Sequence, residues 1–173
     1  MESAIKFSRG TGLIDNLIFV LCFIKRGENL LMLHRNKPPN KGKWNCVGGH
    51  IEPGEAPIAA CIREVWEETG FTIDGPTFHG LLTWEGFEIP MGGLYLFSAD
   101  VPVDAVTRGN GEGILAWKPK DWVITSDEVV DNLHIVTPLV LVGMAPQVYH
   151  FVYRDGVMQS HAISEVPDWV RVD

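Results

Sequence analysis

Three glutamates near the middle of the chain have a spacing that would gather acidic side chains on one face of a helix. Residues Pro57 to Thr69 predict that helix, because their apolar residues recur at spacings of four, three, one and three. At roughly 100° per residue, Glu64, Glu67 and Glu68 fall within about a quarter of the circumference, opposite the apolar stripe. The stripe consists of Ile58, Ile62, Val65, Trp66 and Thr69.

Carboxylates at this spacing could bind a divalent cation. Like charges three or four residues apart repel each other unless cations lie among them, and hard oxygen ligands favour magnesium or manganese over zinc. The alternative is a solvated outer face, which is what most charged helix faces are. The residues before the helix favour the cation site: Gly48 and Gly49 allow the backbone to approach a ligand closely, and residues 52–55 form a turn that leads into the helix.

The string GHIEPGEAPIAACIREVWEETGF, which begins at Gly49, resembles the Nudix box. That motif reads G-x5-E-x7-R-E-U-x-E-E-x-G-U, where U is apolar, and no position of this chain departs from it. A chance match at one starting point has a probability on the order of one in a billion at average residue usage. The matching residues are Gly49, Glu55, Arg63, Glu64, Val65, Glu67, Glu68, Gly70 and Phe71.

The resemblance implies an enzyme that hydrolyses a nucleoside diphosphate linked to another group, with Mg²⁺ or Mn²⁺ as cofactor. It implies that Glu64, Glu67 and Glu68 are metal ligands. It further implies that the Gly49 carbonyl joins them, that Arg63 orients the glutamates and that Glu55 holds the loop. Independently of the resemblance, Pro57 suits the first turn of the helix and Gly70 suits the residue just past its end.

Family members use either a box glutamate or one from a later loop as the general base. Glu112, between two glycines and just before an apolar run, is the candidate for the later residue and for a further metal ligand. The alternative is an ordinary turn glutamate.

Between about Leu17 and Val166 the chain is most similar to MutT-like members, which hydrolyse oxidised purine nucleoside triphosphates. Asn45 lies where such members read the purine edge, and Asp131 with Asn132 resembles a pair of acids that bind the base. Two departures weaken this assignment: the second acid is Asn132, and Val129 lies where a tryptophan would stack on the base.

Further residues are candidates for substrate contacts. Arg35 and Gly48 could meet a phosphate, and His50 lies where MutT-like members often have lysine. Trp84 could form an aromatic wall, although a strand tryptophan is more often part of the core.

The composition indicates one globular domain over residues 1–173 with a small-molecule partner. Lysine plus arginine number 14 against 22 aspartate plus glutamate, and this net charge of −8 disfavours binding to polymeric nucleic acid. An acidic protein that binds phosphate needs a bridging cation, in agreement with the glutamate cluster.

The chain shows no sign of a disulfide framework or a membrane segment. Its three cysteines include no Cys-x-x-Cys pair, which favours a reducing cytoplasm, and its histidines form no metal-binding motif. The longest apolar run, Leu17 to Ile24, is far shorter than the roughly 20 residues of a membrane helix.

The surrounding elements predict an α+β or α/β fold, a mixed sheet sandwiched between helices, as the Nudix resemblance also implies. Residues 17–24 and 30–33 predict a first hairpin, and residues 148–153 and 157–163 a last one around Asp155-Gly156. Further strands are predicted at residues 77–84, 93–99 and 114–118, and a short helix at 137–143.

Two alternatives stay open at this stage. The substrate could instead be ADP-ribose, a dinucleoside polyphosphate or another nucleotide. A catalytically silent, nucleotide-sensing module is the alternative from another class, although such modules are expected to lose metal ligands that this chain retains. Whether the protein is a monomer or a homodimer is undecided.

Overall fold

The computed structural model describes residues 17–105, 107 and 111–173. The other residues, which the one-domain prediction includes, lie outside it. In the described ranges the strands are β1 (Leu17–Arg26), β2 (Asn29–Arg35), β3 (Trp44–Asn45), β4 (Val47–His50), β5 (Thr77–Glu85), β6 (Met91–Asp100), β7 (Gly113–Pro119), β8 (Gln147–Arg154) and β9 (Val157–Glu165). The helices are α1 (Pro57–Thr69), α2 (Lys120–Thr125) and α3 (Asn132–Leu141).

The strands form one mixed sheet. Its order is β3-β2-β1-β6-β5-β8-β9, with β4 also pairing with β1 and β7 with β2. The pairs β1–β6 and β5–β8 are parallel, whereas the hairpins β1–β2 and β8–β9 are antiparallel, as predicted.

Each face of the sheet carries its own core. In β1, Val20 and Cys22 point towards the cluster that contains Val65 of α1, whereas Leu21 and Phe23 point towards the cluster that contains Leu133 of α3. This alternation follows from the period of two in a strand. The prediction of a mixed sheet between helices is therefore confirmed. None of the helices in the described ranges is long and apolar enough to span a bilayer.

Helix α1 has the predicted bounds but not the predicted orientation. Pro57 occupies its first turn, and Gly70 ends it in the left-handed conformation with φ 78°. Trp66, which was predicted to belong to the buried stripe, is 51% exposed, whereas Glu68, predicted on the open face, is only 6% exposed. The face that carries Glu64 and Glu68 lies against β4, where Gly49 leaves room for the Glu64 side chain and the Gly48 N–H donates to Glu68.

Four other elements differ from the prediction. Helix α3 begins at residue 132 and not 137, because its buried stripe already starts at Leu133 and continues through Val136 and Val140. Strands β3 and β4 and helix α2 were not predicted. The two strands are only two and four residues long, and β4 contains a glycine pair, so neither shows a clear alternation.

Candidate active site

Strand β4 and helix α1 meet at the glycine pair. The backbone N–H of Gly48 donates to Glu68 Oε2 at 3.0 Å. A Cβ atom added to Gly49 would lie 2.3 Å from Cδ of Glu64, and one added to Gly48 would lie 2.0 Å from the Val20 carbonyl oxygen. Only glycine allows this approach, so the glycine pair determines where the two carboxylates lie.

Arg63 joins three glutamates. Its Nε and Nη2 donate to the two oxygens of Glu55, both at 2.8 Å, and its Nη1 donates to Glu64 at 2.8 Å and to Glu67 at 3.4 Å. Nη2 also donates to the backbone carbonyl of His50 at 2.8 Å. The neighbouring carboxylates raise the pKa of Arg63, and Arg63 lowers the pKa of Glu55. One fixed guanidinium therefore connects the turn, strand β4 and helix α1.

Glu55 also holds the turn before the helix, since its Oε2 accepts a hydrogen bond from the Glu52 N–H at 2.9 Å. This contact is the one expected for a glutamate that stabilises the loop.

Glu68 is a buried carboxylate with acidic neighbours. Burial raises its pKa to about 8, and the charges of Glu64 and Glu112 act in the same direction, whereas the Gly48 N–H and Arg35 act against it. A low-dielectric position beside like charges disfavours the ionised form unless a cation compensates. The donor set therefore suits a hard divalent cation, which prefers carboxylate and carbonyl oxygens.

The box carboxylates have hydrogen-bond and ion-pair partners within the protein. Within the described residues, no three histidine, cysteine, aspartate or glutamate side chains are grouped closely enough to hold an ion as they are. The contacts explain this, because Arg63 holds Glu64 and Glu67 while the Gly48 N–H holds Glu68. The fit to a cation rests on the chemistry of the donors.

Glu112 lies near the box although 44 residues separate it from Glu68. Its charge acts on Glu68, and its carboxylate forms an ion pair with Lys37 at 3.5 Å. Arg35 is nearby and its Nε donates to the Pro39 carbonyl at 2.7 Å. The structure thus places Glu112, Arg35 and Lys37 near the box. The sequence analysis missed Lys37 because it lies in a proline-rich loop.

A cavity of about 370 Å³ opens beside the glycine pair. Its charged and glycine-rich part is lined by Arg35, Lys37, Gly48, Gly49, His50 and Glu112. Its other part is lined by aromatic and amide side chains, namely Phe19, Asn45, Trp84, Phe87, Asn132 and Tyr153. Cationic and apolar linings in one cavity are suited to a ligand that has both an anionic and a planar part.

Trp84 is a half-buried wall of the cavity and also part of the core packing. Its Nε1 donates to the Ile89 carbonyl at 2.9 Å, and Gly92 leaves room for its ring. Phe19 lies 6.3 Å from it between ring centroids, and the ring of His50 lies 4.3 Å from Phe19. Val129, which replaces the expected stacking tryptophan, is buried in the core and does not line this cavity.

The residues expected to read a base divide into two groups. Asn45 and Asn132 line the cavity. The Oδ1 atom of Asn45 accepts the Cys46 N–H at 2.8 Å, which orients the amide of this side chain. Asp131 does not line the cavity: it faces a neighbouring cleft and accepts a hydrogen bond from the Tyr153 hydroxyl at 2.8 Å.

Phe19, Phe87 and Tyr153 are the aromatic cavity residues that the sequence analysis missed. Phe87 and Tyr153 lie 4.9 Å apart between ring centroids, although 66 residues separate them. An aromatic residue in a glycine- and proline-flanked loop was the available signal for Phe87. Phe19 and Tyr153 lie in strands whose apolar pattern does not distinguish a cavity wall from the core.

The cysteines and histidines outside this site have structural surroundings. All three cysteines are buried and free. His79 is buried and bonded to Ser98 at 2.7 Å, and burial lowers its pKa. His150 is buried against Thr83 at 2.9 Å.

Comparison with known proteins identifies relatives of this chain. It is 33% identical over 67 residues to Nudix hydrolase 19, chloroplastic, of Arabidopsis thaliana, covering 39% of this chain and 15% of that protein. It is 27% identical over 126 residues to 8-oxo-dGDP phosphatase NUDT18 of Mus musculus, covering 69% of this chain and 37% of that protein. The chain thus spans well under half the length of either curated relative.

A solved structure shows the same fold. The MutT mutator protein of Bacillus halodurans superposes with a TM-score of 0.69 at 25% identity, covering 84% of this chain and 95% of that one. The family model for the NUDIX domain matches residues 16–136, which is more than half of the chain and includes both the glutamate helix and β4. The chain therefore belongs to the Nudix family.

Proposed function

We propose that this protein is a metal-dependent Nudix hydrolase whose substrate is a purine nucleoside triphosphate, with an oxidised purine preferred. The observation that carries the proposal is the contact of Glu64 and Glu68 with the glycine pair at the wall of a cavity that also has aromatic and amide walls. Glu64 and Glu68, which could bind a phosphate-bound cation, thereby lie next to a cavity that could accept a planar base.

At the phosphate end, Glu64, Glu67, Glu68 and the Gly49 carbonyl would hold Mg²⁺ or Mn²⁺. The cation offsets phosphate charge and polarises the phosphorus. Arg35 and Lys37 add positive charge to the same wall of the cavity. Arg63 keeps the glutamates in place through its bonds to Glu55 and Glu64.

The proposed reaction is hydrolysis of a phosphoanhydride bond. The oxygen of a water molecule bonds to phosphorus while the bond from phosphorus to the bridging oxygen breaks, so a triphosphate yields a monophosphate and pyrophosphate. Glu112 is the proposed acceptor of the water proton, since it lines the cavity near Glu68. Its carboxylate forms an ion pair with Lys37.

At the base end, Trp84 and Phe87 offer flat apolar surfaces and Asn45 offers a donor. Planar rings stack on such walls. The amide N–H of Asn45 favours a base that presents an acceptor to it. Asn132 adds an amide with both a donor and an acceptor. These groups support a base at this end of the cavity, since a planar ring stacks on Trp84 and Phe87 whereas a ribose ring is not planar.

A nucleoside diphosphate is the second candidate, because the name of the mouse relative states that it acts on 8-oxo-dGDP. In that case the products would be the monophosphate and inorganic phosphate. The same residues would serve, so the number of phosphates released distinguishes the two candidates.

A substrate panel tests the proposal. The purified protein with Mg²⁺ is offered 8-oxo-dGTP, dGTP, 8-oxo-dGDP, ADP-ribose and a dinucleoside tetraphosphate, and the products are identified by ion-pair chromatography. We expect the fastest turnover for 8-oxo-dGTP, with pyrophosphate released. Much faster turnover of ADP-ribose or the dinucleotide would overturn the substrate assignment, and binding without turnover of any compound would indicate a sensing module.

The Asn45→Ala variant separates base reading from phosphate chemistry. It should lower kcat/KM for purine substrates by about 10- to 100-fold, since one hydrogen bond of about 1 to 3 kcal/mol is lost. Asn29→Ala is the control, because Asn29 lies in β2 and is not among the residues that line this cavity. Equal effects of the two substitutions would contradict a base-reading role for Asn45.

A further inference from the structure

The first turn of α1 lacks a capping side chain. Its N-cap residue is Ala56, in the extended conformation (φ −72°, ψ 143°), with no side-chain hydrogen bond to the helix, and Pro57 at the next position has no N–H. Buried N–H groups at a helix start need acceptors. The acceptor for Ile58 comes from far along the chain: its N–H donates to the Val172 carbonyl at 2.9 Å.

The segment that provides this acceptor, residues 166–173, follows β9 and has hydrogen bonds of its own. The Val170 N–H donates to the Pro167 carbonyl at 3.0 Å, and Arg171 donates to the carbonyls of Asp168 and Val170. The Val172 side chain packs against the core cluster on the α1 side of the sheet. Both the side chain and the carbonyl of Val172 therefore contact the part of the molecule that carries α1.

The contact lies at one end of the helix whose other end carries the carboxylates. Ile58 and Glu68 are ten residues apart, which is about 15 Å along an α-helix. A hydrogen-bonded helix moves as a stiff unit, so a displacement at its first turn changes the position of Glu64 and Glu68 relative to β4. A Cβ atom built on Gly49 would lie only 2.3 Å from Cδ of Glu64, so this carboxylate is packed closely against β4.

We propose that residues 166–173 form a positioning strap, in which the Val172 carbonyl caps α1 and thereby holds the carboxylates against the glycine pair. Val172 is a positioning residue, because it acts through the helix and contacts neither the cavity nor the carboxylates. The catalytic part of this proposal rests on the proposed function, whereas the capping part does not.

The first test detaches the strap. Val172→Asp places a charge in the apolar cluster, and Val103→Asp makes the same change at a valine that is 81% exposed. Hydrogen exchange of the amides at residues 58–60 and Mn²⁺ binding followed by water proton relaxation are measured on both variants. In Val172→Asp we expect exchange to become about 2- to 30-fold faster, the range that corresponds to the loss of an N-cap, with weaker Mn²⁺ binding. Val103→Asp should match the parent protein.

The second test restores the cap by another route. Ala56 already has the extended backbone of an N-cap residue, so the hydroxyl that Ala56→Ser introduces can accept the N–H of residue 58 or 59. Ala56→Ser combined with Val172→Asp should recover slow exchange and Mn²⁺ binding. Restoration would show that the lost hydrogen bond, and not general loosening of the core, weakens the site.

Two results would overturn the proposal: unchanged exchange and Mn²⁺ binding in Val172→Asp, or no recovery with Ala56→Ser. If Val172→Asp does not fold, Val172→Ala serves as the milder variant with the same two readouts. Neither readout depends on turnover. An inactive parent protein would therefore count against the proposed function, and the two readouts would still test the positioning strap.

Discussion

Replacing Gly49 by alanine should inactivate the protein without unfolding it. The new methyl group would lie 2.3 Å from Cδ and 2.4 Å from Oε2 of Glu64, and the three nearest atoms all belong to that carboxylate. Gly49 does not have a positive φ, so alanine can adopt its backbone conformation. The perturbation is therefore confined to one flexible side chain, which must move.

The size of the movement follows from the contact distance. Ordinary van der Waals contact begins at 3.4 Å, so the Glu64 carboxylate must retreat by about 1.1 Å, the difference from 2.3 Å. A misplacement of about 1 Å at a catalytic group can cost about 10²-fold in rate. This factor corresponds to about 2.7 kcal/mol of transition-state stabilisation. The displaced carboxylate would also loosen its 2.8 Å bond to Arg63.

The assay measures kcat/KM with Mg²⁺ together with the melting temperature of each variant. Gly54→Ala is the control for backbone strain, since Gly54 has φ 80° but no atom within 4 Å of a built Cβ. Gly48→Ala is the control for a structural clash, since its Cβ would lie 2.0 Å from the Val20 backbone oxygen. We expect Gly49→Ala alone to combine a large loss of activity with a nearly unchanged melting temperature.

A double-mutant cycle shows whether the loss acts through Glu64. If it does, Gly49→Ala should add little to the loss already caused by Glu64→Gln, because coupled changes are not additive. Fully additive losses would refute the reasoning, as would a Gly49→Ala protein with at least half of the original activity.

Three further predictions concern Glu68, Tyr153 and His79. Glu68→Gln should lower kcat/KM by about 10²- to 10³-fold and leave the melting temperature equal or higher, because it removes a buried carboxyl group whose ionisation burial disfavours. An active variant would contradict the ligand role. Tyr153→Phe removes the hydroxyl that donates to Asp131, so KM for purine substrates should rise by roughly 2- to 10-fold while Mn²⁺ affinity stays constant. A change in Mn²⁺ affinity would count against the placement of Tyr153 at the base end of the cavity. Burial and Lys25 lower the pKa of His79 below its ordinary 6.5, so the unfolded chain takes up a proton first and the free energy of unfolding should fall as the pH drops below about 6.5. His79→Gln should flatten that decline in denaturant titrations, and an unchanged slope would exclude His79 as its source.

The bounds of the helix and the composition of the box were readable from the residues alone. Pro57 and Gly70 define the ends of α1 through their own backbone preferences, and the observed helix begins and ends where they predict. The last hairpin was equally accessible, because Asp155-Gly156 adopts positive φ angles at the turn between two apolar runs. Such features depend on neighbours within a few residues.

Only the tertiary structure decided which way the helix faces and what surrounds the carboxylates. The contacts that matter join distant residues: Gly48 with Glu68, Ile58 with Val172, and Tyr153 with Asp131. Periodicity indicates that a helix has two faces, but not what will lie against each of them. Glu68 is buried against the Gly48 N–H of a strand that pairs with β1, and that pairing is not encoded near the helix.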